Sequence, residues 1–394
     1  MSIILAESIG PPAAPALQKT YLPQLDAMRF FAFLSVFCFH GLPSVSIEAH
    51  AGAGRWLAIF ESGVLQAGRY GVGLFFLLSS YLITKLLLEE KKITGRIHLR
   101  QFYLRRTLRI WPLYYLIVCI GLAIQPLSAE FHLSAGRIAS YVFFYSNWMV
   151  AAHGWNWNPI YPLWTVSSEE QFYLLWPLLL KFLPTRAVWI GSLVLLVAIP
   201  ALAFGLPADL LTSREFVYLF LYFSLGTVLA IRDSSTKRRS SLLSLRSVML
   251  LAVAGLLLWE LSGITVALYE QSATASFLAL VLQVAGTTAL FHAFLLSPAD
   301  VWSKPVVYLG KITYGLYVYH LLALTLVRSL ASTAGLGLRT GANHTATNFM
   351  LILGVQLPLA LGLTVLCASL SYRFFESPFL KLKRRFEFIH SRSI

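Results

Sequence analysis

The chain is 394 residues long, 57% hydrophobic and only 12% charged, with a mean hydropathy of +0.70. Those figures exclude a soluble globular domain, and repeated apolar stretches of about twenty residues mark an all-α, polytopic transmembrane helical bundle. A net charge of +14 would point to nucleic acid in a soluble protein. Here the basic residues cluster beside apolar segments, so membrane orientation and lipid headgroups account for them, and no nucleic-acid partner is expected.

Residues 1–24 read as an irregular tail: they lack the basic start of a secretory signal and are interrupted by Pro11, Pro12 and Pro15. Apolar segments then cover approximately 27–46, 69–88, 110–127, 137–152, 164–183, 187–205, 215–231, 247–267, 274–296, 306–331 and 348–372. The stretches Lys91 to Arg109, Arg232 to Arg246 and Lys381 to Arg385 are strongly basic and belong on the cytoplasmic side. With those anchored, 137–152 cannot be a full crossing. It is short and carries Ser146 and Asn147, so a re-entrant or interfacial helix is expected there. About ten spans remain, with both termini cytoplasmic. They form one membrane domain over 25–382, followed by a basic tail at 383–394, and no soluble domain is expected to be appended. Cys38, Cys119 and Cys367 lie far apart inside apolar segments and have no metal-binding spacing.

The first segment carries ionisable groups along one stripe. Arg29 and His40 are eleven positions apart, which places them only about 20° apart around a helix and roughly 16 Å apart along it. Asp26 sits at i−3 from Arg29, on nearly the same face. Lipid does not accept three such groups in a line, so they face protein, water or a ligand.

Next, Arg105, Arg106 and Arg109 have the spacing to converge at one end of a helix. Guanidinium forks match phosphate oxygens, and a positive-inside anchor touching lipid phosphates is the plainer alternative. His153 to Pro159 interleaves aromatic and amide side chains, which suits either a carbohydrate platform or a membrane-interface belt. Glu169 and Glu170 follow at the mouth of a span, after Trp164. They would orient a base, bind a sugar hydroxyl, or mark a wet helix start capped by Ser167 or Ser168. Thr313, Tyr317 and His320 recur at i, i+4 and i+7, with Tyr314 at i−3 from Tyr317, a polar stripe turned into the bundle. Hydrogen bonding between packed helices would explain it equally well. Finally, Arg373 and Glu376 are spaced to pair at i, i+3.

Taken together and in this order, LDAMRFFAFLSVFCFH, YGVGLFFLLSSYLITKLLL, FYLRRTLRIWPLYYL, PLWTVSSEEQFYLLWPLL, LGKITYGLYVYH and SYRFFESPFLKL resemble the acyltransferase-3 family of integral membrane acyltransferases. The resemblance runs from about Leu25 to Leu382. The family's arginine–ten residues–histidine motif falls on Arg29 and His40, its arginine pair on Arg106 and Arg109, its acidic motif on Glu169 and Glu170, and its tyrosine/histidine motif on Tyr314, Tyr317 and His320. Ala27, Phe30, Ser80 and Ser168 depart from the family pattern without removing a chemical group.

The resemblance implies transfer of an acyl group, often acetyl, from acetyl-CoA or another acyl-CoA to a hydroxyl of a carbohydrate, glycolipid or glycosylated small molecule. It also implies a carbohydrate O-acetyltransferase-like enzyme of the bacterial inner membrane, without a fused esterase-like domain. On this reading His40 is the general base, because histidine titrates near neutrality, with Arg29 and Asp26 setting its field and orientation, and Glu170 is counted with them as catalytic. Arg105, Arg106 and Arg109 hold coenzyme phosphates, while Glu169, Trp164, Tyr314, Tyr317 and His320 meet the acceptor. A covalent acyl-histidine relay is a variant, and no metal is expected. The alternative from another class is a transporter or flippase of glycolipid intermediates, whose path the same buried charges would line.

Overall fold

The computed structural model describes residues 21–43, 47, 52–127, 132–155, 158–205, 211–235, 243–269, 272–333 and 351–387. Residues 1–20 of the N-terminal tail, 236–242 of the second basic stretch and 388–394 of the basic tail lie outside them, while Pro23 and Gln24, read as tail, open the first helix.

The described residues are all-α. The helix α1 (Pro23–Gly41) opens with a proline in its first turn, where no intrahelical N–H bond is lost. It carries Asp26 near its positive end, where a carboxylate is favourable for the helix dipole, and His40 in its last turn. It is followed by α2 (Gly52–Gly68), α3 (Gly71–Thr94) and α4 (Leu99–Ile124). Gly95 ends α3 in the left-handed conformation, at φ 76°. Two eight-residue helices, α5 (Ala135–Val142) and α6 (Ser146–His153), lead into α7 (Leu163–Phe182). Then come α8 (Thr185–Gly205), α9 (Leu211–Ser235), α10 (Leu245–Tyr269) and α11 (Ala273–Leu295). Last are α12 (Lys304–Lys311), α13 (Thr313–Thr333), α14 (Leu357–Leu370) and α15 (Ser377–Lys383), with α14 flanked by π-helical turns at Ile352–Gln356 and Ser371–Glu376.

Among the described residues, seven helical segments are long and apolar enough to cross a membrane, so this is a polytopic helical bundle. The helices α1 and α7 match them in length but carry Asp26 and Arg29, or Glu169, Glu170 and Lys181. These two are inner elements: α1 packs against α2, α3, α11, α12 and α13, and α7 against α3, α4 and α6. The outer helices show the reverse pattern, with Val194, Val197 and Leu202 of α8 and Met249, Leu250 and Leu257 of α10 all exposed. Such faces suit lipid rather than water.

Three local expectations change. The helix α2 is additional to the apolar series read from the sequence. Region 137–152 is two helices, not one, each about 12 Å long and far too short to cross a bilayer. The break falls at Phe144, whose φ of 56° turns the chain between them. Arg373 does not pair with Glu376. The π turn carries more residues per turn than an α-helix, so the i, i+3 stacking is lost and the Glu376 carboxylate instead accepts from Ser371 at 3.1 Å. The Arg373 guanidinium lies over the Phe374 ring.

Candidate functional site: a charged cavity on the central helix

Asp26 and Arg29 form an ion pair on α1 at 2.5 Å. The Tyr21 hydroxyl donates to the other carboxylate oxygen at 2.9 Å, and the Asp26 side chain is 1% exposed. The backbone of α12 comes directly against this turn, since a Cβ on Gly310 would run into the Asp26 carbonyl group. Only glycine permits that approach.

Beside the pair lies a cavity of about 320 Å³. Its walls come from α1, α3, α4, α7, α12 and α13, and α15 with the turn after it closes one side. Arg29, Lys85, Arg105, Arg106, Arg109, Lys311 and Lys383 line it, against Asp26, Glu89, Glu90, Glu169 and Glu387. Positive charge predominates.

The three expected arginines of α4 all reach this cavity but stand differently. Arg105 pairs with Glu90 at 3.1 Å and donates to the Phe386 carbonyl at 2.6 Å, tying α4 to α3 and to the turn after α15. Glu90 in turn accepts from the backbone N–H of His98 at 2.8 Å. Arg106 lies over the rings of Phe102 and Tyr173, at 5.5 and 5.2 Å from their centroids. Arg109 lines the wall.

Opposite, Glu169 accepts from Ser79 at 3.1 Å and from Tyr173 at 2.9 Å. Tyr317 shares a hydrogen bond with Thr165 at 2.9 Å, and Tyr314 donates to the Ile110 carbonyl at 2.9 Å. These bonds join α3, α4, α7 and α13 around one space. Ser167 and Ser168 do not cap α7. The helix starts five or six residues earlier than that reading requires, and both hydroxyls donate back to carbonyls of the preceding turn. Ser80 is likewise bonded to its own helix, at the Leu77 carbonyl, so Ser80 and Ser168 lie away from the cavity wall.

The remaining expected residues stand off the cavity. Glu170 accepts from the Trp111 indole at 2.9 Å, and its other oxygen is buried without a hydrogen-bond partner among the described residues. Trp164 is buried and packs on Trp155, which packs on Tyr161, which meets the ring of His40 edge-on at 6.2 Å. Of the loop at 153–159, Asn156 and Trp157 lie outside the described residues. His40 ends α1, where Arg328 donates to the His40 and Gly41 carbonyls at 2.8 and 3.0 Å. Its imidazole lies 5.3 Å from that of His320, centroid to centroid. The single ionisable stripe read along α1 therefore resolves into two places on one helix: Asp26 and Arg29 at the cavity, and His40 at the far end beside a second histidine and a row of aromatic rings.

Sequence reasoning missed Ser79, Lys85, Glu90, Tyr173, Lys311 and Lys383. Tyr173 was detectable at i+4 from Glu169, and the Ser79–Leu82–Leu86–Glu89 stripe of α3 has helical period. Nothing local marks the lysines. Among the described residues, no three or more histidine, cysteine, aspartate or glutamate side chains gather into a metal-binding group.

The family described as "Acyltransferase domain" matches residues 22–373, nearly all of the bundle including every wall helix of the cavity up to α14. The chain belongs to that family. Among its relatives, "O-acetyltransferase OatA" of Staphylococcus aureus (strain NCTC 8325 / PS 47) is 33% identical over 42% of this chain and 26% of its own length. "Putative O-acetyltransferase SACOL0978" of Staphylococcus aureus (strain COL) is 26% identical over 92% of this chain and 58% of its own length. The chain thus spans between about a quarter and three fifths of these relatives. No solved structure matches it.

Proposed function

We propose that the protein moves an acetyl group from acetyl-CoA to a hydroxyl of a carbohydrate or glycosylated acceptor. The observation that carries this reading is the cavity itself, in which Arg29, Arg106, Arg109, Lys85 and Lys311 face one space beside Glu169 and Tyr317. A pyrophosphate-bearing thioester is the family's kind of donor, and guanidinium and ammonium groups are its natural seats. Arg106 and Arg109 line the cavity and fall on the family's arginine pair, which supports them as the seats of the phosphates, while Arg105 ties α4 to Glu90 and Phe386. The acetyl group is favoured because both relatives carry O-acetyltransferase in their names.

The donor's pantetheine arm runs from the cavity along α1 toward His40. There the acceptor oxygen attacks the thioester carbonyl carbon, its proton passes to the His40 imidazole, and the coenzyme thiolate leaves and takes up a proton. Tyr161, against His40, with Trp155 and Trp164 packed in series behind it, is the aromatic surface that would meet a sugar. The setting is a bacterial inner membrane with both termini cytoplasmic, a placement supported by the basic run from Lys91 to Arg109 at one end of α3 and α4.

Turnover of acetyl-CoA by the purified full chain in nanodiscs, wild type against His40→Ala, tests the reading. Slow thioester cleavage lost in the variant is expected. No binding or turnover of acetyl-CoA or longer acyl-CoA donors by the wild type would overturn it and favour the transport of glycolipid intermediates instead.

A further inference from the structure

His320 is fully buried on α13. Its Nδ1 lies 2.5 Å from the Tyr317 carbonyl oxygen, one turn back on the same helix. A carbonyl oxygen can only accept, so Nδ1 carries the proton and Nε2 of the neutral ring is left as a bare lone pair. That lone pair is buried and meets no donor among the described residues. A buried acceptor left unmatched costs free energy, and that cost is relieved when a donor reaches it in the working state of the site.

Among the described residues, three rings pack around this imidazole. Phe33 has no donor, and the Tyr317 hydroxyl is already engaged with Thr165. The third is His40, 5.3 Å away and tilted by 39°.

We infer that His320 is the positioning residue of His40: its Nε2 accepts an N–H of His40 in the working site. One His40 nitrogen then becomes the donor in that bond, and the other must present its lone pair to the acceptor hydroxyl. When His40 takes the acceptor's proton, both its nitrogens carry hydrogen, and the bond to His320 strengthens because its donor is now charged. No proton needs to move to His320. This inference rests on the assignment of His40 as base in the proposed function, and its test separates the two.

Full-length protein labelled with ¹⁵N-histidine is compared by NMR as wild type, His320→Phe and His320→Gln, with His40→Gln used to assign signals. Wild-type His40 is expected in one tautomer, His320→Phe in a mixture of two, and His320→Gln, whose amide oxygen can accept near the Nε2 position, back toward one. In the acetyl-CoA assay kcat is expected to fall by about 10²-fold in His320→Phe with KM for the donor unchanged, and to recover partly in His320→Gln. His40 nitrogen signals identical in wild type and His320→Phe overturn the inference whether or not the protein turns over thioester. A wild type that turns over none, with the tautomer change present, overturns the proposed function and leaves the histidine pair standing.

Discussion

Both oxygens of Asp26 are engaged inside the bundle, Oδ1 by Arg29 and Oδ2 by the Tyr21 hydroxyl. Removing the arginine leaves a carboxylate in a place with almost no access to water, and breaking one side of a buried pair typically costs about 3–5 kcal/mol. Arg29→Ala is therefore expected to lower the unfolding temperature in detergent markedly, and the double change Asp26→Asn with Arg29→Gln to recover most of the loss. Equal unfolding temperatures for Arg29→Ala and wild type would show that the pair is solvated and stabilises little. The pair was legible in the sequence because both members sit on one helix turn, where spacing alone fixes proximity. The lysines of the cavity were not. Lys85, Lys311 and Lys383 lie on three separate elements, the last two at helix ends, where in a membrane protein lysines look like ordinary charges at the bilayer edge.

Several helices meet through glycines, and the contact of α12 with α1 is the one that bears on the site. A methyl group on Gly310 would strike the Asp26 backbone, which no side-chain rotation can relieve. Gly310→Ala should therefore push α12 off α1, shift the Asp26–Arg29 turn, and reduce both thermal stability and donor binding. If crystallisation or unfolding of that variant shows an unchanged fold at unchanged stability, the contact is softer than its geometry implies. At this scale the long apolar helices were readable from composition. The helix α2 was not, because Gly52, Gly54, Arg55, Glu61 and Gln66 give it the look of a connection, while its packing on α10 supplies what propensity does not. The division between α5 and α6 was equally hidden. It depends on Phe144 adopting a left-handed backbone, a conformation that phenylalanine does not advertise; its ring packs on Tyr114 and Trp111, and Gln171 donates to its carbonyl at 2.8 Å.

For the molecule as a whole, the cavity's excess of cations predicts how donor binding responds to its surroundings. Raising ionic strength across roughly the range in which the Debye length falls from 10 to 3 Å should raise KM for acetyl-CoA. A donor lacking the ribose phosphate should show a weaker dependence. A KM flat in salt for both would mean that the phosphates bind elsewhere. The central position of α1 has a further consequence for biosynthesis. It leaves the ribosome well before its walls: α11, α12 and α13, three of the helices that enclose it, are made about 250 or more residues later. At about 5–20 residues per second that is an interval of tens of seconds. During it, α1 must reside in the membrane with an acid and a base but without the walls that later surround them. The Asp26–Arg29 pair lies within one turn, so it can neutralise itself before any partner arrives, and the helix carries its own charge compensation through the wait.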